Sequence, residues 1–335
     1  MPQTLTIHRV GDPEQLDRGG EAPPLTAAAF EEIIASSEGP LAIVTPGIVH
    51  PDDLAGAASV DSDVTVVITD ATTTTGGRGS TDLCAVLWQS FPAVAALLGD
   101  SLLEAGGIVF GEAGRQRIAR PVAAAGDPIV SAIATIVQQG GTLRAVLVPA
   151  GSEPVLPVNP PGLVPSGSPA DRQWLCELIR GAEAHRWLGQ TASEPDVIAI
   201  KAGLLLWHDF LDESHKLSQS IEGAGTHRAG DYWHAIMHRR EGDYSNSKYW
   251  FRRVGLHPVY ETLAARRGRL TEQNGDAARL LEQVAPGGIW DPSAFVDACQ
   301  RAARANDPAA ELTLRRLQAD EMLLLLWQTC LDARG

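Results

Sequence analysis

Short β-branched apolar runs alternate with alanine-rich amphipathic stretches over the first 150 or so residues of the chain, and the alternation then stops. Residues 4–10, 41–45, 64–69, 107–110 and 143–148 read as strands, and 25–35, 81–103 and 128–138 between them as helices. The middle strands are almost unbroken apolar runs, the pattern of strands covered by helices on both faces. Strand–helix alternation at this spacing predicts an α/β N-terminal domain with a largely parallel sheet.

Beyond residue 170 the apolar period becomes that of helices throughout. Segments 170–187, 197–222, 231–241, 245–254, 258–266, 271–284, 292–305 and 308–332 read as helices separated by short joints marked by Gly or Pro. An all-α C-terminal helical domain follows. Between the two patterns, residues 149–169 hold seven of the 22 prolines. Proline at that density cannot join a helix or an inner strand, so this stretch is expected to be a linker or a surface strap. The expected organisation is 1–148, 149–169 and 170–335.

Composition narrows the functional classes. The 335 residues carry 27 Lys and Arg against 41 Asp and Glu, a formal charge of −14, which argues against a nucleic-acid binder relying on a basic face. No apolar run approaches the roughly 20 residues of a membrane span. The first residues lack a basic start followed by an apolar core, so no secretory signal is expected. Cys84, Cys176, Cys299 and Cys330 are widely spaced, as for reduced thiols in a cytoplasmic protein.

The candidate chemistry concentrates between residues 204 and 260, which hold six of the nine histidines and all four tyrosines. In a helix over 197–222, His208, Asp212, His215, Gln219 and Glu222 recur at intervals of four, three, four and three, hence on one stripe. In the next helix Asp231, His234, His238 and Glu241 repeat that geometry. If the intervening glycine-rich segment closes a helical hairpin, His215 reaches the level of His234 and His238. Facing helices that each offer imidazoles and a carboxylate are how helical bundles build metal sites, and the spacing is close to the E-x-x-H pairs of di-iron carboxylate proteins, with Asp in place of Glu. His208, Asp212, His215, His234 and His238 form the expected ligand pool, for Zn, Fe, Mn or Ni. Glu241 or Glu222 is the expected general base on a metal-bound water.

His208-Asp209 after the apolar run 202–206 resembles the HD phosphohydrolases in two residues and that run. The resemblance implies His185 as a first histidine and Asp231 or Asp243 as a last aspartate of a metal site in a helical domain. Six basic residues lie between His227 and His257 against three acidic ones. Arg239, Arg240, Arg252 and Arg253, with Tyr249, are therefore expected to hold a small anionic molecule. In the N-terminal half, the glycines at 76–79 follow a strand and precede a helix, where backbone N–H groups can hold phosphate. Residues 45–47 and Gly111 to Gly114 could share that rim.

The expected function is metal-dependent chemistry on a small anionic molecule, hydrolysis preferred over non-haem oxygen chemistry because it needs only a bound water and a base. The competing expectation is a binding or scaffold protein whose His/Asp/Arg cluster is a structural hydrogen-bond network. The sequence does not distinguish a monomer from an oligomer.

Overall fold

The computed structural model describes residues 6–9, 27–37, 39–44, 62–70, 80–98, 107–118, 128–149, 160–165, 172–270, 275–305 and 307–335. The chain divides into two compact units, one of Met1–Val158 with Asp171–Trp187, the other of Asn159–Ala170 with Leu188–Gly335.

In the first unit β1 (Thr6–Arg9), β2 (Leu41–Val44), β3 (Val64–Asp70), β4 (Gly107–Phe110) and β5 (Leu143–Pro149) form one sheet in the order β1-β2-β4-β3-β5. β1 and β2 are parallel, as are β3 and β5. The central β4 is antiparallel to both neighbours, Phe110 facing Leu41 on one side and Val64 on the other. This mixed sheet corrects the expected α/β domain with a largely parallel sheet. All four residues of β4 are buried. An unbroken apolar run reports burial on both faces, and burial carries no information about strand direction.

Around the sheet lie α1 (Ala27–Ser36), α2 (Ser80–Ser90), α3 (Pro92–Ala96), α4 (Glu112–Arg117) and α5 (Pro128–Gln138). The helix expected over 81–103 is interrupted at Phe91, because Pro92 starts a new helix at a position where its missing N–H costs nothing. Gly111 and Gly114 are required by close approach of the backbone. A Cβ on Gly114 would lie 2.0 Å from the Asp63 carbonyl oxygen, and one on Gly111 2.5 Å from that of Ser62. The glycines at 76–79 and residues 45–47 lie outside the described residues.

The helix expected at 170–187 is two helices, α6 (Gln173–Gly181) and α7 (Ala184–Leu188). Most of both falls in the first unit, where Arg186 donates to the Gln138 carbonyl at 2.5 Å.

The second unit is helical, as expected of the C-terminal part. Its elements are α8 (Glu194–Trp207), α9 (Leu211–Ser220), α10 (Ala229–Glu241), α11 (Tyr244–Val254), α12 (Val259–Leu270), α13 (Gly275–Val284), α14 (Pro292–Ala305) and α15 (Pro308–Arg334). Residues 160–162 run against this unit, their carbonyls accepting from Arg315 (2.5 Å), Gln318 (2.9 Å) and Arg240 (3.2 Å).

The single helix expected over 197–222 is also corrected. α8 ends at Trp207, and Asp209 takes a left-handed φ of 67° before α9 starts at Leu211. Arg240 holds this break. It donates to the Leu206 carbonyl at the α8 C-terminus, which also accepts from Asp209 N at 3.3 Å, and to the Asp209 carboxylate at 2.5 Å. The start of α8 is tied to the α9–α10 loop through Asp196, whose Oδ2 accepts from Ser193 Oγ (2.6 Å), Thr226 N (3.1 Å) and Thr226 Oγ1 (3.0 Å). Midway along α8, Gly203 lets the Trp233 indole lie against the backbone, since a Cβ there would fall 2.4 Å from the ring.

Candidate metal centre

Three imidazoles meet where α9 faces α10. His234 and His238 are one turn apart on α10 and stack with ring centroids 4.7 Å apart at 22°. His215 arrives from α9, 4.6 Å from His234 and 5.5 Å from His238, edge to face. One ring nitrogen from each lies within 4.8 Å of the others. Nitrogen ligands at the usual Zn–N length are separated by about 3.3 Å around a tetrahedral ion, so small side-chain rotations close the set.

His234 is the innermost of the three, 2% exposed. Neither of its ring nitrogens has a hydrogen-bond partner among the described residues. Burial pushes its pKa down to about 3, helped by His238, His215 and the Arg253 guanidinium. It is therefore a neutral imidazole with a buried lone pair at physiological pH, the form that binds metal. Trp250 of α11 stacks on it at 4.0 Å and 24°.

His238 is held from two sides. Its Nδ1 lies 2.5 Å from Glu241 Oε1, and its Nε2 lies 2.9 Å from Asn246 Nδ2. The carboxylate accepts from Nδ1–H, which leaves the lone pair on Nε2 to accept from the amide. Glu241 thus orients the His238 ring. With Asp243, Glu241 and His238 also form a second, more exposed set that could hold an ion.

Asn246 has no place in the sequence reading. Its signal was local: Gly242 reverses the chain at φ 91°, Asp243 caps α11 by accepting from Asn246 N at 3.1 Å, and the first turn of α11 therefore lies over the end of α10. Ser247 Oγ donates to the Ala235 carbonyl at 2.7 Å and fixes that crossing.

The other expected ligands lie elsewhere. His208 is buried at the C-terminal end of α8, beyond the break, and Asp212 is exposed on the first turn of α9. Neither joins His215, His234 and His238 within ligand reach. The interruption at Asp209 takes His208 off the stripe that a continuous helix would have made. It also commits the Asp209 carboxylate to Arg240, against the aspartate role implied by the HD resemblance.

The basic residues separate by depth. Arg239 is fully buried, donates to Glu321 at 2.5 Å and lies 4.4 Å over the Phe295 ring. Arg240 is equally buried at the helix break. Their partners are internal, which corrects their expected role as substrate ligands. Arg252 is exposed. Arg253 is half-buried, 2.6 Å from Glu222 Oε1, so the expected base Glu222 is an ion-pair partner here. Arg253 also donates to the Tyr249 hydroxyl at 3.1 Å.

The remaining histidines of this region form a separate group. His227 Nδ1 lies 2.7 Å from Asp332 Oδ2, and its ring is 5.7 Å from His257. Burial, with His227 beside it, pushes the His257 pKa down to about 3.

No protein-family model, curated protein or solved structure matches this chain. Among the described residues no helix is long and apolar enough to cross a membrane.

Proposed function

We propose that the protein is a metal-dependent enzyme in which His215, His234 and His238 hold one divalent transition metal, the ion taking the His238 Nε2 lone pair over from the Asn246 amide, and hydrolysis is the reaction. The observation that carries this reading is His234, whose two buried nitrogens lack hydrogen-bond partners among the described residues while two further imidazoles face it. A structural hydrogen-bond network would satisfy its innermost member, because an unpaired buried polar group costs about 1–3 kcal/mol. A ligand awaiting its ion has no such requirement.

The donor set favours hydrolysis over oxygen chemistry. Three imidazoles with an open fourth position are a set that zinc hydrolytic sites use, whereas non-haem iron oxygenases use two histidines and a carboxylate. A metal in such a site supplies an activated water at neutral pH. The chain's own residues do the rest: Glu241 fixes the tautomer and orientation of His238, and Trp250 covers the face of His234 and keeps bulk water from it. The buried thiols Cys176, Cys299 and Cys330 support a reducing, cytoplasmic setting.

Titration of the metal-free protein with Co2+ tests the site. Intense visible absorption of four-coordinate cobalt, saturating at one equivalent and absent from His234→Ala, is the expected result. No absorption in wild type contradicts it.

A further inference from the structure

Arg253 occupies a distinctive place beside the three histidines. Its guanidinium carbon lies 4.9 Å over the Trp250 ring, and the same ring stacks on His234 at 4.0 Å. The guanidinium and the innermost histidine therefore share one indole as a packing partner. Tyr249 and Trp250 shape the side chain into a fixed fork, with Nη1 on the Tyr249 hydroxyl and Nη2 on Glu222. Its Nε faces the buried Asp231 Oδ2 at 3.9 Å, too far for a hydrogen bond. Arg228 donates to the Arg253 carbonyl at 2.7 Å and brings a second guanidinium to this end of α11.

The partners of Arg253 differ in kind from those of Arg239 and Arg240. Both ends of its ion pair with Glu222 reach solvent, the Arg253 side chain 35% and the Glu222 side chain 44% exposed. Such a pair contributes about 0–1 kcal/mol, so another oxyanion can displace Glu222. A planar, bidentate carboxylate or phosphate suits the guanidinium fork at least as well. The Arg239–Glu321 pair is fully buried and offers no such exchange.

We propose that Arg253 is the anion-binding residue for the substrate, a small molecule with a carboxylate or phosphate group, and that Glu222 occupies Arg253 until that group replaces it. The designation of the ligand as a substrate rests on the metal-dependent reading above; the anion subsite does not require the metal. Arg253 then decides which molecules present their reacting bond to the histidines, and Glu222 acts as an internal competitor that weak anions fail to displace.

Binding of inorganic phosphate and of acetate to the metal-free full-length protein at low ionic strength, followed by calorimetry, tests the subsite. At least one probe is expected to bind wild type. Glu222→Gln, on the surface, should strengthen that binding by up to about fivefold, the value of an exposed ion pair. Arg253→Lys should weaken it, because a point charge replaces a fork, and Arg253→Ala should lower it at least tenfold. Should Arg253→Ala fail to fold, the opposite responses of Glu222→Gln and Arg253→Lys still decide. Binding of neither probe to wild type or Glu222→Gln overturns the proposal, as does equal binding to wild type and Arg253→Lys. Metal uptake measured on the same samples separates the two readings: metal without anion binding defeats only the subsite, and anion binding without metal defeats only the hydrolase.

Discussion

Burying an imidazole with neither nitrogen hydrogen-bonded destabilises a fold, and His234 does so beside two other histidines. Replacement by an apolar residue of similar size should therefore leave the metal-free protein at least as stable, since the desolvation cost disappears. We expect His234→Leu to raise or preserve Tm without metal and to abolish the Tm increase that Zn2+ gives wild type. A fall of several degrees in the metal-free variant would mark His234 as a structural residue.

Acid provides a second test at this scale. His234 and His257 both have pKa values lowered from 6.5 to about 3. Above pH 6.5 both are neutral whether folded or unfolded. Between pH 6.5 and 3 the unfolded chain takes up protons that the folded chain refuses, so stability falls as pH drops through that window. Denaturant midpoints measured from pH 7 to pH 4 should decline, with a shallower decline in His234→Leu. For Glu241→Gln, loss of the carboxylate behind His238 Nδ1 should weaken metal binding about 10–100-fold, read by competition with a chelator. At the residue scale the spacing in the chain identified His215, His234 and His238 as neighbours, because i,i+4 periodicity and a short hairpin are local properties. Asn246 and Trp250 come from the crossing of α11 over α10, which no periodicity reports.

At the scale of elements, the break between α8 and α9 decides what the histidine stripe becomes. A helical period continues through residues 206–212, so the chain reads as one helix there. The interruption depends on Arg240, which lies 31 residues from Asp209 and satisfies both Asp209 and the Leu206 carbonyl. Partners that distant are invisible to a local pattern. Removing Arg240 takes a buried guanidinium donor away from both the Asp209 carboxylate and a helix-end carbonyl. Arg240→Leu is therefore expected to cost about 3–5 kcal/mol of stability by chemical denaturation, with metal content per folded molecule unchanged. A variant of wild-type stability that had lost an anionic ligand would instead restore Arg240 as a binding residue. The sheet teaches a related lesson. The strands were legible as apolar runs at 41–45, 64–69, 107–110 and 143–148, but the antiparallel insertion of β4 between β2 and β3 is a choice of topology made through long-range pairing.

For the whole molecule, all three proposed ligands belong to the second unit, in which residues 159–170 lie with 188–335. Metal should stabilise that unit directly, by about 2.7 kcal/mol at a free concentration one hundred times the dissociation constant. If the units unfold separately, calorimetry should show one transition rising with Zn2+ and the other unmoved. The compositional change near residue 150 made a two-part organisation legible. The return of residues 171–187 to the first unit was not, because their helical pattern is the same as that of the helices that follow.

The central claim, that His215, His234 and His238 bind a metal, is tested most directly by elemental analysis of the purified, untagged protein beside His215→Ala and His238→Ala. The account predicts close to one equivalent of Zn, Fe, Mn or Ni in wild type and its loss from both folded variants. Wild type that stays metal-free after reconstitution, or variants that keep the metal, would contradict it.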